Sequence, residues 1–310
     1  MPLRHDIRRG ALLMVGSLAL FTGMSAMVKH LSGHIPFIEL MFFRSAFALP
    51  VVAMITARYG DWRSLRTRRF KGHLLRAMTG TAAQGCSFFA LSVLSLAEQT
   101  ALSYTTPLFV TMLAIPILGE QVGLHRWSAV LLGFAGVLVI ASGQGVFHGA
   151  GPVSTLAVLG TAAAVFQGMF SALTTLLVRQ LSSTESSTTI TMWQSMLMTC
   201  FTLIPLPFFW VTPGWGELGL LLAIGLVGGV AQVMLTEAYA SAQVSALGPY
   251  SYSSLVWSML LGWLVWGDVP GLAMLGGSAL IVVAGLYILH REMVRRRQRI
   301  AAEQGGDTKG

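Results

Sequence analysis

Apolar runs separated by short polar connections recur ten times along the chain, at about 11–28, 35–57, 74–96, 99–118, 125–143, 153–178, 188–210, 217–239, 243–266 and 271–289. Each approaches the roughly 20 residues that a helix needs to cross a bilayer core. The apolar–polar alternation of barrel strands is absent, and in hydrocarbon a helix satisfies every backbone N–H and C=O within its own segment. The pattern predicts an all-α polytopic membrane protein with ten transmembrane helices. Pro107, Pro116, Pro205, Pro207 and Pro249 fall inside or at the ends of runs, where each marks a kink or a helix boundary. The first run follows Arg4, Arg8 and Arg9 as in a signal peptide. It is too long for a signal h-region, has no convincing small-residue cleavage site and is followed by more runs, so it reads as a first helix.

Composition excludes a soluble domain. Of 310 residues, 54% are hydrophobic and 10% charged, where soluble domains carry about 25% charge. Cys86 and Cys200 both lie in apolar runs, which suits small hydrophobic roles rather than a disulfide scaffold. The net charge of +8 lies at span ends. With the N-terminus in the cytoplasm, eighteen of the 20 Lys and Arg residues fall on the cytoplasmic side, with only Lys29 outside and only Arg44 within a span. Both termini are therefore expected in the cytoplasm, with the chain in the inner (plasma) membrane. The basic excess reads as contact with anionic lipid head groups, not with nucleic acid.

Sliding the chain against itself by 148 residues aligns 80–120 with 228–268. Gly80 meets Gly228, Gln84 meets Gln232, Ser103-Tyr104 meets Ser251-Tyr252, and Gly119-Glu120 meets Gly267-Asp268. The sequence thus divides into a cytoplasmic N-terminus (1–10), a first five-helix repeat (11–143), a second (153–289) and a basic cytoplasmic tail (290–310). Five crossings is an odd number, so the second copy enters from the opposite face. Inverted repeats of this kind build secondary transporters, in which two halves rock about a midplane site. A scaffold or receptor built on the same bundle is the alternative.

The segments E-L-M-F-F-R at 39–44, Y-T-T-P-L-F-V at 104–110, L-G-E at 118–120, P-Y-S-Y-S-S-L-V-W at 249–257, W-G-D-V-P at 266–270 and G-L-Y-I-L-H-R-E at 285–292 resemble the drug/metabolite transporter superfamily, in particular its EamA-type branch with two EamA repeats. The second repeat departs from the family in carrying Asp268 where Glu is usual. The resemblance implies ten helices around a central cavity and transport of a metabolite, and it selects no substrate.

Charge within a span is costly and asks for a reason. Glu39 and Arg44 share the second run, about 140° apart around a helix. Arg44 reads either as a cavity residue binding an anionic substrate group or as a structural anchor. Glu39 reads either as a coupling group near the outer mouth or as an interfacial side chain. Arg44 falls opposite Gln194 in the repeat, so only one of two equivalent places keeps charge. Gln84 and Gln232 are a matched mid-span pair that must find a partner in protein, water or ligand. Tyr104 and Tyr252 are a second matched pair, beside Pro107 and Pro249, reading either as substrate contacts or as part of proline kinks whose freed carbonyls nearby hydroxyls satisfy. Trp193, Trp257, Trp263 and Trp266 could stack on a flat substrate or anchor the interface, and Trp193 and Trp257, set deeper than Trp266, are the better candidates. Glu237 is a further coupling candidate or a solvated helix end, and Gly225 and Gly229 suit close helix packing.

No H-E-x-x-H, G-x-S-x-G or P-loop occurs, and all seven His fall at span ends or in loops, so neither a catalytic nor a metal site is expected and no cofactor is implied. The reading is a transporter of a small polar or amphipathic metabolite (amino acid, vitamin or nucleoside-like), working by alternating access, with export slightly ahead of uptake. Coupling and oligomeric state, monomer or dimer, are left open.

Overall fold

A computed structural model describes residues 7–59, 67, 69–118, 124–143, 152–181, 184–185, 187–241 and 247–306, and all regular structure among them is helical. Among the described residues eleven α-helices follow in order: α1 (Ile7–Leu31), α2 (Phe37–Tyr59), α3 (Phe70–Val93), α4 (Leu96–Ser103), α5 (Thr106–Leu118), α6 (Leu124–Gly143), α7 (Pro152–Leu181), α8 (Ser187–Leu203), α9 (Trp215–Ser241), α10 (Ser253–Trp266) and α11 (Leu272–Gly306). Short 3-10 turns occupy Leu206–Phe208 and Gly248–Tyr252. Six described spans are long and apolar enough to cross a membrane, on α1, α2, α7, α9 and α11 and on α8 with the turn after it. About a third of each is buried. The remainder, with outward residues such as Leu12, Leu138, Leu203 and Leu264, forms an apolar exterior suited to lipid.

The run at 99–118 is not one helix. Pro107 carries no N–H to bond the Ser103 carbonyl, and α4 stops at Tyr104. The Thr106 hydroxyl takes over the Ser103 carbonyl at 2.8 Å, and the Thr105 hydroxyl bonds the Leu102 carbonyl at 2.8 Å. A capping box between Ser95 and Glu98 fixes the start of α4. The matching run at 243–266 is also interrupted: the 3-10 turn containing Pro249 precedes α10, while 242–246 lie outside the described residues. Helix α10 ends on Gly267 at φ 70°, a left-handed cap that glycine adopts without steric cost. The motif partners Gly119 and Glu120 lie outside the described residues, as do the Pro249 and Arg179 side chains. The basic tail extends α11 to Gly306.

Shifted by the repeat offset, α1, α2, α3, α5 and α6 fall on α7, α8, α9, α10 and α11. The extensive interfaces join one half to the other and come as symmetric mates: α3 with α7 and α1 with α9, α2 with α9 and α3 with α8. Helices α6 and α11, equivalent to each other, pack together, as do α2 and α8.

Contacts along α3 reveal the inversion. The missing Cβ of Gly72, at the start of α3, would lie 2.9 Å from Leu181 at the end of α7, and that of Gly160, early in α7, would lie 3.1 Å from Leu94 past the end of α3. Helix α7 therefore runs against α3. Lys29, at the end of α1, donates to the Leu94 carbonyl at 2.6 Å, so α1 runs with α3. The equivalent helices α1 and α7 thus point in opposite directions.

Candidate functional site

Where α2, α8 and α9 converge, a cleft is lined by Arg44, Ser45, Ala48, Val52, Thr191, Gln194, Ser195, Met198, Gly228, Gly229 and Gln232. It lies between halves, since α2 belongs to one and α8 and α9 to the other. The missing Cβ of Gly228 would lie 3.9 Å from Arg44 Nε, and that of its mate Gly80 3.4 Å from Gln194 Nε2. Each glycine thus lies beside the long polar side chain of the opposite half, with Met24 Sδ closer still to Gly228, at 2.9 Å. Arg44 Nη1 donates to Gln84 Oε1, which places Gln84 behind Arg44 and outside the cleft lining. Gln194 Nε2 points at Met198 Sδ, 3.3 Å away. The cleft is narrow: its volume of about 50 Å³ is room for water but not for a metabolite.

The tyrosines meet elsewhere. The Tyr104 and Tyr252 rings lie 4.8 Å apart at the two helix breaks, and Tyr104 Oη donates to the Ser251 carbonyl at 3.2 Å and pairs with Ser254 Oγ. Neither tyrosine lines the cleft. Trp193 packs at the start of α3, 5.6 Å from the Phe70 ring and 5.9 Å from the His73 ring. Trp257 lies on α10, away from the cleft, with Nε1 buried and unpartnered among the described residues. Pro107 opens α5. Glu237 forms a half-exposed pair with Arg9 at 3.1 Å, worth little in stability.

Glu39 and Arg44 do not meet. Glu39, buried in the first turn of α2, accepts the Val211 N–H at 3.0 Å from the connection after α8. At the other end of α2, a cluster that sequence reasoning missed repeats this arrangement. Glu185, between α7 and α8, accepts from Thr67 Oγ1 and pairs with His73 Nε2 at 2.6 Å. Burial pushes the Glu185 carboxyl up. Hydrogen bonds from Thr67 and His73, the His73 charge and the Arg69 amide outweigh this and hold it below its ordinary value. Arg76, one of the eighteen basic residues assigned to the cytoplasmic side, is buried and donates to the Ile190 carbonyl at 3.3 Å. One carboxylate clasp thus ties a connection of the other half at each end of the bundle. No group of His, Cys, Asp and Glu among the described residues is arranged to hold a metal.

Two interlocked, inverted helical halves with a polar cleft at their junction define a membrane carrier. The chain belongs to the EamA-like transporter family, whose profile matches residues 8–142 and 158–290. It is 30% identical over 302 residues to a riboflavin transporter of Vibrio cholerae, covering 96% of this chain and 98% of that one. It is also 30% identical to a pseudopaline exporter of Pseudomonas aeruginosa, over 90% and 95%, and 26% identical to an S-adenosylmethionine uptake transporter of Rickettsia bellii, over 92% and 94%. A crystal structure at 21% identity shares the fold, with a TM-score of 0.63 over 90% of this chain and 96% of that one. The chain is accordingly a multi-pass membrane transporter of a small metabolite, not an enzyme.

Proposed function

We propose that this transporter crosses the inner membrane ten times with both termini in the cytoplasm, and carries its substrate by alternating access through the cleft between α2, α8 and α9. The observation that carries the reading is the placement of Arg44, Gln194 and Gln232, from opposite halves, around one polar gap. At this width the cleft admits no metabolite, so binding requires the halves to part. The contacts support the orientation, since each joins elements that the positive-inside reading assigns to one face: Arg9 with Glu237 and Glu185 with His73 inside, Glu39 with Val211 outside. The fourth run, broken in both halves, matches the discontinuous helices of carriers whose halves move against each other. The relatives include exporters and importers by name, and export is our slight preference. The substrate is an amino acid, a vitamin or a nucleoside-like compound. Tyr104, Tyr252 and the prolines at the breaks serve the motion rather than direct contact.

The test is counterflow of such compounds in proteoliposomes. Gln232→Leu should raise the half-saturating concentration of whichever compound exchanges, with membrane expression intact, and Gln84→Leu should do so through loss of its hold on Arg44. Unchanged affinity in both variants would remove the cleft from the transport path.

A further inference from the structure

The cleft holds one full charge and no described group that balances it. Arg44 Nη1 is taken by the amide oxygen of Gln84. Its Nε is buried with no acceptor among the described residues, and the neighbouring Gln84 Nε2 is likewise buried and unclaimed. Among the described residues no acidic side chain lines the cleft. The carboxylates on the surrounding helices face other groups: Glu39 accepts the Val211 N–H, Glu217 accepts the Gly214 N–H and Glu237 faces Arg9. Arginine stays protonated in proteins, so the site cannot shed its charge as a buried lysine would. A cation kept among apolar helices without a counter-charge is costly.

We infer that the substrate supplies the missing charge: the carried metabolite bears a carboxylate, anionic or zwitterionic, that docks on Arg44 where the guanidinium fork matches it in shape and charge. The inference rests on the transport reading above and narrows its substrate class. The pseudo-twofold axis adds a second constraint. The mate of Arg44 is Gln194, so the cleft has one cationic pole and one amide pole. The substrate then sets its carboxylate at the Arg44 pole and its remaining polar groups toward Gln194, Gln232 and Ser195.

The test uses the purified full chain and matched probes: nicotinate and nicotinamide, L-phenylalanine and L-phenylalaninamide, biotin and biotin amide, with sodium chloride as an inorganic anion. Thermal stabilisation should come from at least one acid, with its amide about tenfold weaker or worse. Arg44→Gln should abolish that preference and Arg44→Lys should keep part of it. The inference is overturned if amides match acids, if no acid stabilises, if Arg44→Gln keeps the preference, or if chloride alone stabilises as well as the acids. The wild-type comparison decides even if Arg44→Gln fails to fold. Counterflow on the same preparation separates the two readings. Acid preference without exchange sinks the transport reading alone, and exchange of a neutral probe without acid preference sinks the charge inference alone.

Discussion

Close packing at single positions decides where the halves touch. The missing Cβ of Gly225 would lie 2.3 Å from Phe47 Cβ and 3.1 Å from the Phe43 carbonyl, whereas at Gly23 nothing lies within 4 Å. Helix backbones approach this closely only through small residues. Gly225→Ala should therefore cost about 1–3 kcal/mol, read as a lower melting temperature and reduced yield, while Gly23→Ala leaves both unchanged or better. Equal effects would mean that α9 does not pack on α2 at Gly225. Polar residues in apolar runs announce themselves by their cost, which is why Arg44, Gln194 and Gln232 stand out in the sequence alone. Ser45, Thr191 and Ser195 do not, because hydroxyls in helices routinely bond their own backbone. The aromatic candidates mislead for a related reason: Trp193 and Tyr104 look the same in a sequence whether a ring meets substrate or another ring.

Among the elements, the connections carry more of the design than their length suggests. The depressed carboxyl of Glu185 means that its clasp contributes fully above the ordinary carboxylate range and is lost as the pH falls through its lower, folded value. Melting curves of wild type and Glu185→Gln should differ above the ordinary carboxylate range and converge as the pH falls below it. A difference that peaks in acid would contradict the clasp. Nothing in the sequence pairs His73 with Glu185, since a contact across 112 positions leaves no periodic trace. The helix breaks were half legible: Pro107 and Pro249 flag an interruption, but hydropathy runs unbroken through Tyr104 and Thr105 and hides where the chain turns.

The whole molecule is built from two matching, inverted halves. Inversion was readable from the repeat offset and the basic-residue bias together, and the opposed course of α1 and α7 along α3 bears it out. The interlocking of the halves was not readable, because a repeat says that two units match without saying that each packs chiefly on the other. That interlocking makes a cleft between halves the natural moving part: any rotation of one half against the other reshapes it. The most direct measurement is the accessibility of Ser195→Cys, in a chain with Cys86→Ser and Cys200→Ser, to a membrane-impermeant thiol reagent in right-side-out and inside-out vesicles. Alternating access predicts labelling from both faces, slowed by a transported compound. Labelling from one face alone, or from neither, would contradict it.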